Sequence, residues 1–491
     1  MKIYKKLAGH TVIYGLGTII PRILNYIVLT SYYTRELDVQ QFGVLTELYG
    51  YMAFLLVLLT YGTETGYFKF SQDDKNNSVY TSILASLLFS SAAFIAIVMV
   101  LYRKIAMMLE YQGNEKYIIM LALIVAVDAF SAIPFARLRK EERSRKFSWL
   151  KLINVLTTIA AVMVFYEFIP WLQEKYGIIG SINFKGEVLY VFLANLIAST
   201  LVLILLLPEI IKYKLAVDLK VLRSVLSYSF PLMLAGLAGT VNEALDKVII
   251  KHVIPDEENA LYILGIYGAN YRIAMLVSIF IQMFRFAVEP FYFDYQGKDD
   301  EKVVYAKIMR LFIGVIFMMN MFILFYLHYV SWLIPSEYHE GLNIIPVLLT
   351  AFLLYGIFFN QSVWYKLTKH TGYAVLLTLV GAVVTIIANL FFVKRFSYHA
   401  SAWGHLLAYL VMTLMSYFIG RRYYRIDYNL WRILEYILVA LSIFGIRFFL
   451  IKEKSLIVDI LSGVLILLYG IYILKREGLL DTLFKNIRGK I

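Results

Sequence analysis

Three cationic side chains stand inside long apolar stretches of the sequence. Arg22 follows Pro21 in TIIPRILNYIV, Arg272 lies in GANYRIAML, and Lys247 lies in NEALDKVII. A charge within a membrane-spanning segment is costly, and such residues usually face a protein interior or a water-filled cavity. The guanidinium fork of arginine matches the oxygens of a phosphate and stays charged at any working pH. We therefore predict a cationic cavity that binds phosphate or pyrophosphate; the alternative is that each cation pairs structurally with a nearby carboxylate.

Carboxylates also interrupt the apolar stretches, and two of them lack an obvious partner close by in sequence. These are Glu47 and Asp128, for which we predict a role in coupling to a proton or a cation, since a buried carboxylate can be protonated during a transport cycle. Glu243 precedes Lys247 by four residues, the favourable order for a local ion pair on a helix. Asp246 lies on a neighbouring face of the same helix and is predicted to act separately as a further coupling residue.

Pro21 stands directly before Arg22 in the middle of its apolar stretch. Proline removes a backbone donor and frees a carbonyl in the preceding turn, so it kinks a helix. Membrane helices also tolerate proline for packing alone. Because an arginine is adjacent, we predict a functional hinge at Pro21.

The composition indicates that the elements carrying these residues lie in lipid. Hydrophobic residues make up 60% of the 491 residues, 16% are charged, and the mean hydropathy is +0.71. A soluble domain is about 45–50% apolar and about 25% charged. Apolar segments of about 20 residues cross a bilayer as helices. We predict an all-α integral membrane protein.

The sequence offers little for enzyme chemistry. It contains no cysteine, which excludes disulfides and thiolate metal ligands, and its seven histidines show no metal-ligand spacing. The motifs HExxH, GxSxG and the P-loop are absent from it. We predict a transporter rather than an enzyme, without a metal or organic cofactor, and with a proton or sodium ion as the coupling ion.

About fourteen spans of membrane-crossing length can be placed along the chain. They lie near 10–32, 41–66, 78–102, 117–136, 147–166, 187–207, 225–251, 259–284, 303–328, 342–365, 372–392, 399–419, 432–451 and 455–474. The longest connection is predicted near 167–186. This pattern predicts an N-terminal six-helix lobe at 1–210, a C-terminal six-helix lobe at 211–425, and a terminal helix pair with a basic tail at 426–491.

The two predicted lobes share an internal echo. FGVLTELYGYMAFL (42–55) resembles LGIYGANYRIAMLV (264–277): Gly43 aligns with Gly265 and Tyr49 with Tyr271, both pairs 222 residues apart. Each copy lies in the second helix of its six-helix set. An even number of helices per repeat makes the repeats parallel, related by an axis along the membrane normal.

The basic residues predict the orientation of the chain. RLRKEERSRK (137–146) and RRYYR (421–425) fall on the same side as the lysine-rich N-terminus, whereas PDEEN (255–259) and PSEYHEG (335–341) fall on the other. Cytoplasmic loops carry the excess of lysine and arginine. The net charge of +13 is therefore attributed to topology and not to nucleic-acid binding. Both termini are predicted to be cytoplasmic, and the protein is predicted to be a monomer.

The same patterns resemble a known transporter family. An apolar first helix bearing Gly and Pro, TVIYGLGTIIPRILNYIVL, leads into a connection that contains Arg35, Leu37, Phe42 and Gly43. NEALDKVIIKHV (242–253) is similar to the seventh helix of that family, and QMFRFAVEPFYF (282–293) is similar to the end of its eighth. In these features the chain resembles bacterial polysaccharide-transport (Wzx-type) flippases, relatives of multidrug and toxin extrusion carriers and of the peptidoglycan-precursor flippase.

The resemblance implies that an undecaprenyl-pyrophosphate-linked oligosaccharide is moved across the bacterial inner membrane by alternating access. The product would be a surface polysaccharide such as the O-antigen of lipopolysaccharide or a capsule, and polymerase and chain-length enzymes would be partners. A cationic cavity suits Arg22, Arg272 and Lys247 by type and depth. Two alternatives stay open: a cation-coupled drug antiporter of the same fold, whose cavity should favour acidic residues, and a membrane polymerase or glycosyltransferase, which should carry a large catalytic loop.

Overall fold

A computed structural model of the chain describes residues 19–480, apart from 73, 75–76, 178–183, 185 and 451–454. The described residues form helices joined by short connections, with no β-strand among them. A helix satisfies its backbone hydrogen bonds internally, which a chain in lipid requires. The prediction of an all-α protein is confirmed.

The helices are numbered here in chain order. They are α1, a π-helical stretch Leu24–Leu29 that continues as Thr30–Glu36; α2, Val39–Thr60 with Thr63–Phe70; α3, Ser78–Met108; α4, Glu115–Lys140; α5, Ser144–Tyr176; α6, Val188–Ile211; α7, Leu219–Val253; α8, Glu257–Ala274 with Leu276–Tyr295; α9, Glu301–Phe325; α10, Ser336–Leu367; α11, Gly372–Phe396; α12, Tyr398–Tyr423; α13, Leu430–Gly445; and α14, Leu456–Arg476.

Most of these helices are long and apolar enough to cross a membrane. In the described part of the chain, 11 pass that test, and α8, which bends by 41° after Ala274, would make 12. Helix α13 has only 16 residues before it continues as the π-helical stretch Ile446–Leu450. The first predicted span, 10–32, lies partly outside the described residues. The predicted count of about fourteen spans is therefore not confirmed.

The connection predicted near 167–186 is shorter than expected. Helix α5 continues through a π-helical stretch, Val164–Phe168, into Ile169–Tyr176. Pro170 stands at the start of this last piece, directly after the π-helical stretch. The helix ends at Gly177, which adopts φ 62°. The prediction of a loop was wrong for 167–176.

The chain divides into two compact units. Unit 1 comprises Met1–Ala269 with Ala382–Ser401, and unit 2 comprises Asn270–Gly381 with Ala402–Ile491. The boundaries fall inside α8, α11 and α12, and α7 packs mainly on α2 within unit 1. These units follow contacts and not the sequence repeat, so the lobes at 1–210 and 211–425 and the terminal segment 426–491 stay predictions.

In unit 2 the pair α13–α14 is held to α9 by buried polar contacts. Arg310 donates two hydrogen bonds to the carboxylate of Glu477, at 2.7 and 2.8 Å, and the hydroxyl of Tyr436 donates a third. Toward the other end of α14, Tyr326 and Tyr329 donate to Asp459. The C-terminal pair is thus fixed to the rest of unit 2 at two levels.

Candidate functional site

Helices α2 and α8 cross within unit 1 at two glycines. A Cβ atom on Gly43 would lie 2.0 Å from the carbonyl oxygen of Leu261, and one on Gly265 would lie 2.0 Å from that of Val39. The contacts are reciprocal, because Val39 and Leu261 are 222 residues apart, like Gly43 and Gly265. Reciprocal contacts between equivalent positions are the mark of a two-fold axis. Residues that are equivalent in the sequence repeat therefore also make equivalent packing contacts.

One turn further along, a position of the repeat meets its own equivalent. Thr46 and Gly268 are also 222 residues apart, and a Cβ on Gly268 would lie 2.4 Å from the hydroxyl oxygen of Thr46. A residue that touches its own equivalent lies on the axis that relates the copies. Glycine is required at 268 because Thr46 fills the space.

A buried carboxylate follows Thr46 directly. Glu47 is 0% exposed, and its carboxylate accepts a hydrogen bond from the hydroxyl of Tyr111. The amine of Lys251, on α7, lies 3.5 Å from the same carboxylate, and His252 Nε2 lies 3.9 Å from it. Lys251 is also buried, with its amine 3.8 Å from the centre of the Tyr111 ring. The partners that Glu47 lacks nearby in sequence are supplied by distant residues.

A second buried carboxylate joins α7 to α8. Asp246 is 0% exposed and accepts a hydrogen bond from the hydroxyl of Tyr267. The amine of Lys247 lies 3.4 Å from the Asp246 carboxylate and donates to the backbone carbonyl of Glu243 at 2.6 Å. Lys247 therefore has a carboxylate partner, which agrees with the alternative that this cation takes part in a structural ion pair. Its role in binding a ligand stays a prediction.

A separate polar group gathers near Arg22. Asp128 on α4 lies within hydrogen-bonding reach of Ser199 on α6 and interacts electrostatically with Lys151 on α5. The charge of Arg22, an exposed residue of the segment before α1, also acts on Lys151. The amine of Lys151 lies 4.0 Å from the centre of the Phe135 ring. Lys151 thus interacts electrostatically with both Asp128 and Arg22.

Lys151 is a candidate that the sequence analysis missed. It lies five residues beyond the basic segment 137–146, at the start of the predicted span 147–166. It therefore looked like part of the cytoplasmic flank. The signal that could have revealed it is Asp128 in the preceding span, which needed a cation from a neighbouring helix. A cation inside a span is a default functional residue.

The remaining predicted site residues are Arg272 and Pro21. Arg272 is half-buried on α8, three residues before the break at Met275, and belongs to unit 2, whereas Arg22 belongs to unit 1. A shared cavity for the two arginines stays a prediction. Pro21 is buried in a helical segment, and the π-helical stretch of α1 begins three residues after it. π-helical turns are frequent at functional sites. This stretch is therefore consistent with the hinge at Pro21, which stays a prediction.

The described residues contain no group of three His, Cys, Asp or Glu side chains that could hold a metal ion. The polar groups in unit 1 instead pair carboxylates with amines and tyrosine hydroxyls. Such groups can exchange a proton or a monovalent cation, or can receive an anion when a carboxylate is neutralised. This is the chemistry of a transporter interior.

Ionisable residues buried within membrane-spanning helices are typical of pumps and transporters. The chain belongs to the polysaccharide biosynthesis protein family, whose model matches residues 7–296. A search of curated protein sequences finds no match.

Solved structures show the same fold. The lipid II flippase MurJ in an inward closed conformation superposes with a TM-score of 0.66 at 15% identity, over 95% of this chain and 99% of that chain. An inward-facing multidrug resistance MATE family transporter of the MOP superfamily superposes with a TM-score of 0.65 at 12% identity, over 82% of this chain and 98% of that chain. The suspected relation to flippases and multidrug carriers is confirmed at the level of family and fold.

Proposed function

We propose that the protein is a flippase that moves undecaprenyl-pyrophosphate-linked oligosaccharides from the cytoplasmic to the outer leaflet of the bacterial inner membrane. The observation that carries the proposal is the cationic group around Arg22 in a chain of the polysaccharide biosynthesis family. Lys151 interacts electrostatically with the carboxylate of Asp128 and with the charge of Arg22, so two cations and one carboxylate contribute to this group. A pyrophosphate carries several negative charges and suits such a group.

Arg272 and Lys247 are proposed as further residues that bind the anion. Arginine is suited to this task because its planar fork binds phosphate through two parallel hydrogen bonds. Alternating access would expose the set first to the cytoplasm and then to the opposite side. Pro21 and the π-helical stretch after it would supply the bend in α1.

The proposal is tested by export of surface polysaccharide. Arg22→Ala or Arg272→Ala, expressed in a strain that lacks its own copy of the gene, should abolish the polymer while the protein inserts at the normal level. Arg395→Ala is the matched control, since Arg395 is an exposed cation at the end of α11. Normal polymer in both Arg22 and Arg272 variants would contradict the proposal.

A drug antiporter is the second candidate, because a multidrug carrier superposes as well as a flippase does. Its cationic substrates would need unpaired carboxylates. In the described part of the chain the buried carboxylates Glu47 and Asp246 each have an amine within 3.5 Å. Drug resistance conferred by the wild-type protein, and lost in Asp246→Asn but kept in Arg22→Ala, would favour the antiporter.

Coupling to a proton or sodium ion is proposed at Glu47, Asp128 and Asp246. Each carboxylate has an amine as its neighbour, so binding of a cation would compete with that amine. Flipping in vesicles with an imposed pH or sodium gradient tests this directly. Equal rates with and without both gradients would remove these residues from the mechanism.

The setting of the protein follows from the same proposal. We place it in the inner membrane as a monomer, with both termini in the cytoplasm, supplying substrate to polysaccharide polymerase and chain-length enzymes. Tags that report the cytoplasmic or periplasmic position of each terminus would test the orientation. A C-terminus found in the periplasm would contradict the proposed orientation.

A further inference from the structure

A crevice between α8 and α10 in unit 2 contains an arginine whose guanidinium group does not use all of its hydrogen-bond donors. Arg285 donates through Nε to Glu289, at 3.3 Å, and its two terminal nitrogens make no hydrogen bond to any described residue. Its guanidinium carbon lies 4.1 Å from the centre of the Phe359 ring. Stacking on an aromatic face holds the planar fork in one orientation.

Comparison with Arg310 in the same unit shows what a satisfied arginine looks like. Arg310 binds Glu477 through both Nε and Nη2, at 2.7 and 2.8 Å, in the bidentate manner that carboxylates favour. Glu289 instead accepts one hydrogen bond from Arg285 through Oε2, and its other carboxylate oxygen accepts from Lys366. The terminal edge of the Arg285 fork is left for another acceptor.

The crevice holds a second unused donor. Asn360 is only 4% exposed and lines the crevice, yet its amide nitrogen has no hydrogen-bond partner among the described residues. The carbonyl oxygen of the same amide accepts from the hydroxyl of Tyr292, which fixes the orientation of the group. A buried donor without a partner costs about 1–3 kcal/mol unless a ligand or water supplies the acceptor.

The charges in the crevice favour an anion. Arg285 and Lys366 carry two positive charges and Glu289 one negative charge, so the group has a net charge of +1. Ser362 adds a hydroxyl to the lining of the crevice. Both helices carry this site toward the ends that the basic loops predict to be cytoplasmic.

We propose that the crevice between α8 and α10 is a second anion site, which binds a phosphoryl group through Arg285, Lys366 and Asn360 before transport begins. The phosphoryl group is assigned to the pyrophosphate of the lipid-linked substrate, and this assignment rests on the proposed function. Glu289 positions the two cations and leaves their remaining donors pointing to the ligand. Neither Arg22 nor Arg272 lines the crevice.

The test is binding of inorganic pyrophosphate to the purified full-length protein, measured by calorimetry. It is performed in an Arg22→Gln/Arg272→Gln background, so that the proposed central site does not contribute. Adding Arg285→Gln should weaken the remaining binding by at least about tenfold, the effect of losing one charge-assisted pair. Asn360→Leu should weaken it by about threefold, since it removes a neutral donor and keeps the volume.

Two further variants separate the fork from bulk charge. Arg285→Lys keeps the charge but loses the planar fork, so we expect binding between that of the background and that of Arg285→Gln. Lys369→Gln is the matched control, because Lys369 is an exposed cation beyond the end of α10 that does not line the crevice. Pyrophosphate binding that is absent from the background, or equal in the Arg285→Gln and Lys369→Gln proteins, would overturn the site.

The source of the phosphoryl group is decided in lipid nanodiscs. If the site serves the substrate, pyrophosphate affinity should be the same in phosphatidylglycerol as in phosphatidylcholine. A loss of about tenfold in phosphatidylglycerol alone would overturn the assignment to substrate and give the site to lipid phosphate. These binding results do not depend on polysaccharide export, so the site and the proposed function can fail separately.

Discussion

The two copies of the repeated segment, one in α2 and one in α8, share their backbone packing and differ in their polar side chains. Gly43 and Gly265 occupy equivalent positions and make equivalent contacts with the opposite helix. Beside them, the first copy has a buried carboxylate at Glu47 where the second has Ala269. The positions that allow close approach are repeated, whereas the charged positions are not.

An arginine also differs between the copies, but here the second copy carries the charge. Arg272 in the second copy is equivalent to Gly50 in the first. Gly50 packs against α7, where a Cβ would lie 3.3 Å from the carbonyl oxygen of Ala244 and 3.3 Å from Val248, so the first copy has no room for a long side chain. The repeated positions determine how α2 and α8 pack. The positions that differ between the copies carry the charges, and residues that act in transport should be sought among them.

The largest effect is expected at the shared glycines. Gly43→Ala or Gly265→Ala would place a methyl group 2.0 Å from a backbone carbonyl oxygen, which cannot move aside as a side chain can. The expected loss of stability exceeds about 3 kcal/mol, above the usual range for overpacking. Thermal unfolding of the purified protein measures it.

Gly239→Ala is the control for this prediction, because nothing lies within 4 Å of a Cβ at that position of α7. It should leave the unfolding temperature near that of the wild type. Equal stability of the Gly43→Ala and Gly239→Ala proteins would mean that α2 and α8 do not approach as closely as described.

A smaller but still large effect is expected at Glu47, where the copies differ in charge. Glu47→Leu would leave the buried amine of Lys251 without its nearest carboxylate, at a cost of about 3 kcal/mol. The double variant Glu47→Leu/Lys251→Leu should recover much of that loss, because the unpaired charge is then gone. Additive losses in the double variant would show that the two residues do not interact.

A moderate effect is expected on the axis itself. Gly268→Thr would collide with Thr46 and should cost about 2 kcal/mol. Exchanging the two residues, as Thr46→Gly/Gly268→Thr, restores one threonine facing one glycine and should recover most of the stability. A double variant that is no more stable than Gly268→Thr alone would contradict the two-fold relation at this contact.

The smallest effect is expected at Tyr49, a position conserved in type between the copies as Tyr271. The Tyr49 hydroxyl accepts from the amide of Asn195 at 2.7 Å, and that amide also donates to the carbonyl of Val191 at 2.9 Å. Tyr49→Phe should therefore cost about 1 kcal/mol. A loss above that of Gly268→Thr would contradict the assignment of one neutral hydrogen bond to this hydroxyl.

The fold was largely predictable because it depends on local signals. Runs of apolar residues marked the helices, and matched glycines revealed the repeat, since both features are written along the chain. The extension of α5 to Tyr176 was missed because Glu167, Glu174 and Lys175 make that part of the helix polar. A polar end of a helix cannot be told from a loop by hydropathy alone.

The groupings of charged residues were less predictable because they depend on which helices are neighbours. Glu47 and Asp128 were identified as unusual, but their partners Lys251 and Lys151 come from other helices. For Lys247 the sequence indicated a pairing with Glu243, whereas the structure also places Asp246 beside its amine. Tertiary contacts between spans select such partners, and no periodicity encodes them.

Arg272, the arginine that is present in only one copy, is proposed to bind the pyrophosphate of the substrate. The most direct measurement is the affinity of the purified protein for undecaprenyl pyrophosphate before and after Arg272→Gly, which gives the second copy the residue of the first. The expected result is an affinity at least about tenfold weaker, with a loss of stability of no more than about 1 kcal/mol, the ordinary cost of glycine within a helix. The affinity of the Arg395→Gly control should be unaffected. Equal affinity of the wild-type and Arg272→Gly proteins would contradict it.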